Sequence, residues 1–347
     1  MLPKADLHSH IDGSVDAKTL LQIAKNHRRR MLTPDGAELV GVSAFMRYVE
    51  GGGYHSLLDN IVDRFYPITN LMQTEGTIRD VGISYVGAQK REGVAYTEGR
   101  FAPQYHTREG LSLKDAIVSM ADGLAEGAER YGVKTALIVG IGRETSPEIG
   151  VDVAKAATKS KLVVALDLCG PEEGYPPPKF NEAFRTAVAS GLKVTVHAGE
   201  GAGSVSQNLR NMRDAITRLH ASRLGHAIPL ARSEPLLKLV LQRSVAIEMN
   251  PISNLVLRKI RGLRELSIDK LLARGVRISV NSDDPAIWPG GHLPDVYSRV
   301  CEAYGFGFDV LDRLMDNSFD GAFATAGDKE RLRELYGEAR RRIESKG

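Results

Sequence analysis

Cysteine is scarce in this 347-residue sequence: only Cys169 and Cys301 occur, far apart. Two such thiols offer no disulfide framework and point to a reducing compartment. Cys169 follows an apolar run and reads as a small buried residue, not a nucleophile. An excess of one charge is lacking too, with 46 Lys and Arg against 43 Asp and Glu, a net charge of +3. That balance gives no electrostatic argument for nucleic acid or a membrane surface. The densest basic run, His27-Arg28-Arg29-Arg30, reads as the solvated end of a helix. No apolar stretch approaches a membrane span, and no signal peptide is expected before the first strand. What is there, 42% hydrophobic and 26% charged residues, is the composition of a soluble globular protein. The expectation is a cytoplasmic enzyme.

Average domain size would divide 347 residues in two, but a single α/β barrel also reaches this length. Eight short strand-like runs can be counted: Lys4–His8, Val94–Phe101, Val133–Ile141, Leu162–Leu168, Lys193–His197, Arg223–His226, Val245–Met249 and Val276–Asn281. Most are compact Val, Ile, Leu and Ala runs, the pattern of strands buried on both faces. Helix-period stretches lie between them: Ala17–His27 after Asp16, Thr77–Arg91, Leu113–Tyr131 before Gly132, Pro147–Thr158 after Ser146, and Asn181–Ser190 before Gly191. Lys329–Glu344 reads as an exposed closing helix. The alternation predicts an α/β fold, a (β/α)8 TIM-type barrel with inserted helices after strand 1. An open doubly wound sheet is the alternative, weakened by the lack of a Gly-x-Gly-x-x-Gly after the first strand. Gly51-Gly52-Gly53 and Gly290-Gly291 read as loop hinges, so residues 1–347 are taken as one domain.

The unusual residues fall at strand ends. His8 and His10 are two apart, so on an extended strand their imidazoles share a face. His197 ends the fifth strand, His226 the sixth, and Asp283-Asp284 follow the eighth. In a barrel all these ends meet on one rim, where active sites of this fold sit. Three imidazoles and a carboxylate suit zinc or another first-row metal, with room for a water. Each residue alone has an ordinary reading, a satisfied core histidine or a capping aspartate; their convergence is the argument. Glu200, three residues past His197, also has one, the acidic opening residue of the next helix. His55, His106, His220 and His292 read as surface or loop histidines, and Asp167 and Glu248 as makers of structural hydrogen bonds within strands.

These blocks resemble the adenosine deaminase family of metal-dependent purine aminohydrolases over nearly the whole chain. The matching stretches are Leu2-Pro3-Lys4-Ala5-Asp6-Leu7-His8-Ser9-His10-Ile11-Asp12-Gly13-Ser14, His197-Ala198-Gly199-Glu200, Gly225-His226 and Asn281-Ser282-Asp283-Asp284-Pro285. Softer matches are Leu166-Asp167-Leu168-Cys169-Gly170 and Asn317-Ser318-Phe319. The resemblance implies one Zn2+ per chain, held by His8, His10, His197 and Asp283, which lowers the pKa of water from about 15.7 towards 7. It implies Glu200, His226 and Asp284 as catalytic residues: Glu200 protonates the purine ring, His226 takes the water's proton or stabilises the hydroxide, and Asp284 orients that water. Substrate would meet His10, Asp12, Gly170 and Asp284.

By the same resemblance, an aspartate at Asp12 accepts a bond from a sugar hydroxyl, whereas relatives acting on the free base carry glutamate. Asp12 therefore favours adenosine or 2'-deoxyadenosine, with a modified nucleoside of the aminodeoxyfutalosine type, or free adenine, as alternatives. Gly170 matches the position whose amide meets purine N3. The segment Gly201–Met212 is longer than usual between Glu200 and the next helix, and its Gly201-Ala202-Gly203 reads as a looser turn rather than a mobile rim. Leu57–Phe65 falls where the family has a lid helix, and Trp288 either borders the sugar or packs against a helix. Rival chemistries fit less well. A binuclear site wants a lysine ending strand 4, which reads Leu162-Val163-Val164-Ala165-Leu166-Asp167-Leu168. The zinc deaminases of nucleic acid want His-x-Glu and Pro-Cys-x-x-Cys, which two distant cysteines cannot supply. A non-catalytic relative would have lost one of the site residues, and all are present. The expected partner is a small purine nucleoside, with no nucleic acid or membrane.

Overall fold

The computed structural model describes residues 1–51, 64–201 and 203–345. Eight parallel strands run in sequence order around one sheet, β1 Lys4–His10, β2 Val94–Phe101, β3 Lys134–Gly142, β4 Val163–Cys169, β5 Lys193–Ala198, β6 Arg223–His226, β7 Ala246–Met249 and β8 Ile278–Val280. The ring closes between β8 and β1. The His10 amide donates to Asp283 O at 2.8 Å, the Asp283 amide to His8 O at 2.9 Å, and the Leu7 amide to Asn281 Oδ1 at 3.0 Å. This is the expected (β/α)8 barrel.

Strand limits shift from the expected ones for local reasons. β1 runs two residues further because the bond to Asp283 extends its ladder. β7 starts at Ala246 because Ser244 turns through a left-handed φ of 51°. β8 is short because the Val276 amide still closes the preceding helix on Leu271 O.

The inserted helices after β1 are Ala17–Asn26, Val42–Gly51, Phe65–Leu71 and Glu75–Arg91. Asp16 caps the first, accepting from the Thr19 amide at 3.0 Å. Glu75–Arg91 begins earlier than expected because Thr74 and Thr77 form a reciprocal capping box. Most of Leu57–Phe65 lies outside the described residues, as does His55; Phe65 opens a helix. Later helices cover the strands, with Leu113–Tyr131 stopped by Gly132 at a left-handed φ of 65° and Pro147–Ala157 capped by Ser146. The chain closes on Ala326–Glu344. No helix among the described residues is long and apolar enough to cross a membrane.

Three expectations need correction. The next helix after Glu200 is Val205–Arg218, so most of Gly201–Met212 belongs to that helix and not to the connection before it; Ser204 caps it by accepting from the Gln207 amide at 3.2 Å. His106 is fully buried, stacked on Phe101 with its Nδ1 3.1 Å from Met72 O. Arg29, in the basic run, is not simply solvated: it pairs with Glu109 and donates to Asn70 O.

Helices Glu75–Arg91 and Leu113–Tyr131 pack backbone to backbone. A Cβ on Gly123 would stand 2.4 Å from Arg79 O, and one on Gly127 2.8 Å from Val86 Cβ. Such contact leaves no room for a methyl group. Gly123→Ala is expected to destabilise the fold by about 1–3 kcal/mol. Urea denaturation should show a lower midpoint at constant slope, and an unchanged midpoint would show that the helices separate without cost.

Candidate active site at the barrel rim

The period-2 geometry of β1 aims His8 and His10 at the same cavity. With His197 from β5 and Asp283 after β8, they bring four ligand atoms within 4.8 Å of one another. His197 Nε2 lies 3.1 Å from His8 Nε2 and 3.2 Å from His10 Nε2. Asp283 Oδ1 lies 3.3 Å from His8 Nε2 and 3.5 Å from His10 Nε2. Four ligands placed about 2.0–2.2 Å from one centre in a tetrahedron stand roughly 3.3–3.6 Å apart, so these four separations are close to those a first-row ion requires.

The donor chemistry also fits. His8 Nδ1 is 2.7 Å from Glu248 Oε2, and His197 Nδ1 is 2.9 Å from Asp167 Oδ2. Each carboxylate accepts a hydrogen bond from the Nδ1–H, which keeps the proton on Nδ1 and leaves the Nε2 lone pair facing the cavity. Lone pairs and a carboxylate at such distances repel one another unless a cation sits between them. Sequence reasoning gave Asp167 and Glu248 structural hydrogen bonds, and here those bonds go to the clustered histidines.

The carboxylates are held in turn by arginines buried inside the barrel. Arg100 on β2 donates to Asp167 at 2.9 Å, Glu248 at 3.0 Å and Leu7 O at 2.7 Å. Arg223 on β6 pairs with Glu98 at 2.6 Å and Glu248 at 2.5 Å. Burial would raise the Glu248 carboxyl, but Arg223 and Arg100 hold it well below its usual range. Burial would likewise raise Asp167, and His197 with Arg100 lowers it instead. His8 falls to about 4, through burial and the charge of Arg100.

His226 stands beside this cluster at a left-handed φ of 65°, with Asn254 Nδ2 2.9 Å from its Nδ1 and Glu200 Oε2 3.7 Å from its Nε2. The preceding Gly225 is required, because a Cβ there would stand 2.7 Å from His8 Cε1. Glu200 is buried, and its amide donates to Glu172 Oε1 at 2.8 Å, while Asn211 Nδ2 donates to Glu172 Oε2 at 2.9 Å. Asp284 accepts from Trp288 Nε1 at 3.2 Å; burial, then the charges of Asp283 and Asp12, push its carboxyl well above the usual range. Burial pushes Asp12 up to about 6. One cavity is lined by His10, His197, Glu200, His226, Asp283 and Asp284, and also by Asp12, Gly170 and Trp288. All the expected site residues but the buried ligand His8 therefore line it, and His8 joins them through the ligand cluster. Sequence reasoning missed Arg100, Arg223, Glu172 and Asn254, as well as Glu144, Tyr105 and Arg108 on the cavity wall. Charged residues inside strand runs were the signal for the first two.

A parallel barrel with a histidine–carboxylate cluster at the carboxyl ends of its strands defines a metal-site hydrolase of the TIM-barrel class. A family model described as adenosine deaminase matches residues 3–338, and the chain belongs to that family of purine deaminases. Adenine deaminase of Chlorobium luteolum is 29% identical, the match covering 98% of this chain and 95% of that protein. Adenosine deaminase of Clostridium acetobutylicum is also 29% identical, over 95% of this chain and 96% of its own. A crystal structure of adenine deaminase from Arthrobacter aurescens superposes with a TM-score of 0.86 at 26% identity, covering 98% of this chain and all of that one, 100%.

Arg100→Leu would leave the buried Asp167 and Glu248 without their shared cation. Removing one member of a buried ion pair costs about 3–5 kcal/mol, so a corresponding drop in unfolding free energy is expected in a guanidinium titration. A loss below about 1 kcal/mol would show that Arg223 and the histidines suffice to hold the carboxylates.

Proposed function

We propose that the chain is a zinc-dependent deaminase of a 6-aminopurine nucleoside, converting adenosine or 2'-deoxyadenosine with water into the inosine counterpart and ammonia. The observation that carries this reading is the convergence of His8, His10, His197 and Asp283 within 4.8 Å, in one cavity with Glu200, His226 and Asp284. We read residues 1–347 as one barrel domain acting on a small purine in the cytoplasm. His8, His10, His197 and Asp283 would hold the zinc, which when bound makes water a nucleophile near neutral pH.

The chain's own groups divide the remaining work. Glu200 donates a proton to the ring nitrogen next to C6, which makes that carbon electrophilic. His226, 3.7 Å from Glu200, takes a proton from the attacking water. Asp284, held by Trp288, orients that water. A C6–O bond forms, the C6–N bond breaks, and the departing nitrogen takes up a proton to leave as ammonia. Asp12 accepts from the sugar, and Gly170 offers its amide to the purine edge opposite the metal.

A second reading, a nucleoside with an acidic group beyond its sugar such as aminodeoxyfutalosine, draws on Arg108. Its guanidinium lines the cavity, stacked 5.0 Å over Tyr66 and bonded to Thr69 Oγ1 at 3.4 Å. Ammonia release from zinc-loaded protein separates the readings. Adenosine and 2'-deoxyadenosine should be turned over at least tenfold better than adenine, tenfold being about 1.4 kcal/mol. Silence on both nucleosides with turnover of the extended one would establish the second reading, and turnover of adenine alone would overturn both.

Two variants test the assigned roles. Glu200→Gln should keep the metal and lower kcat by at least about 10²-fold, the usual scale for a general acid. Asp283→Ala should lower the zinc measured by atomic absorption. Normal turnover in the first, or full zinc in the second, removes that residue from its role.

A further inference from the structure

Two carboxylate oxygens on the wall of this cavity, Asp12 Oδ1 and Glu144 Oε2, are buried and have no hydrogen-bond partner among the described residues. Asp12 as a whole is 7% exposed. Each stands on its own rim loop, Asp12 just past β1 and Glu144 just past β3. The Tyr105 hydroxyl donates to Glu144 Oε1, which fixes the carboxylate and leaves Oε2 free. That oxygen lies close to Gly170, where an added Cβ would stand 3.0 Å from it. Burial first, then the charge of Glu144 and more weakly that of Asp12, push the Tyr105 hydroxyl well up. Neither acid makes an ion pair among the described residues. Buried acceptors in this state call for donors from a ligand.

A purine nucleoside with its amino end at the metal carries its remaining donors on the sugar, as hydroxyls. Two carboxylates on the lining of one cavity match two hydroxyls. They would repel a phosphate, and free adenine has only a ring N–H to offer. We propose that Glu144 is a second sugar-reading acceptor, taking a hydrogen bond from one ribose hydroxyl while Asp12 takes one from another. The inference rests on the nucleoside reading above and sharpens it: the pocket reads two of the sugar's hydroxyls, and loss of either leaves a buried carboxylate oxygen unpaired.

The test compares adenosine with its 2'-, 3'- and 5'-deoxy analogues on zinc-loaded protein. Wild type should lose about tenfold or more in kcat/KM for two of the three, the scale of a hydrogen bond to a charged acceptor. Glu144→Ala should lose about tenfold on adenosine and bring one of those two ratios within about threefold of unity, leaving the other in place. Calorimetric titration with inosine and the matching deoxyinosine should show the same collapse without turnover. Glu144→Gln, which keeps the shape and an acceptor for Tyr105, should move the same ratio in the same direction and serves if the alanine variant does not fold. Ratios that survive the substitution overturn the role of Glu144 while leaving nucleoside deamination intact. No ammonia from any nucleoside would overturn the functional reading itself, and this inference with it.

Discussion

Arg100 is the interaction on which the rest of the site depends. It rises from β2 inside the barrel and bonds to Asp167 on β4, Glu248 on β7 and the β1 backbone. A buried guanidinium or carboxylate alone would be too costly to keep charged. Together with Arg223 and Glu98, these groups make a paired array whose outer edge is two carboxylate oxygens. Those oxygens select the Nδ1–H tautomer of His8 and His197 and turn both Nε2 atoms towards the cavity. The interior of a barrel of this type is ordinarily filled by layers of branched apolar side chains. Here part of that volume holds the charges that orient the rim.

Backbone strain completes what the charges begin. His226, Ala227 and Asp283 all adopt a positive φ, a region unfavourable for residues with a Cβ. At Asp283 the strain is held by exchanged backbone bonds with β1, so the same contact closes the barrel and presents the carboxylate. At His226 it follows a glycine that lets His8 lie against β6. Residues in such conformations persist only where their surroundings over-determine them, and they concentrate at functional sites. The side chains brought to the rim are thus placed by rigid strands and their first following residues, not by long loops.

The legible part of this arrangement was the part written in local periodicity. His8 and His10 announced a shared face because a strand has a period of two, and the strands announced themselves as compact apolar runs. Partnerships were not legible. Arg100 lies 67 residues from Asp167 and 148 from Glu248, and nothing in a run of strand residues says which buried charge meets which. The same limit hid Glu172, whose carboxylate holds the Glu200 amide from another loop. His106 looked like a loop histidine because it follows a strand, yet its ring stacks on Phe101 inside the fold. The helix at Val205 was placed too late because Ser204 follows a glycine-rich stretch and its capping role depends on the bond to Gln207.

The cavity has two ends of different origin. At its base, the candidate ligands and the charges behind them belong to strands or to the residues that end them, and one cannot be moved without moving the barrel. Elsewhere on its lining, Asp12, Arg108 and Glu144 sit on three separate connections after β1, β2 and β3. Substitution there changes which donors and charges a ligand meets without touching the ring of strands. This separation gives a physical reason for relatives of near-equal identity, over nearly the whole chain, to be named for adenine in one case and adenosine in another. Two unpartnered carboxylate oxygens on those loops are costly unless a ligand supplies hydrogens to them, and a sugar supplies them where a bare purine ring does not.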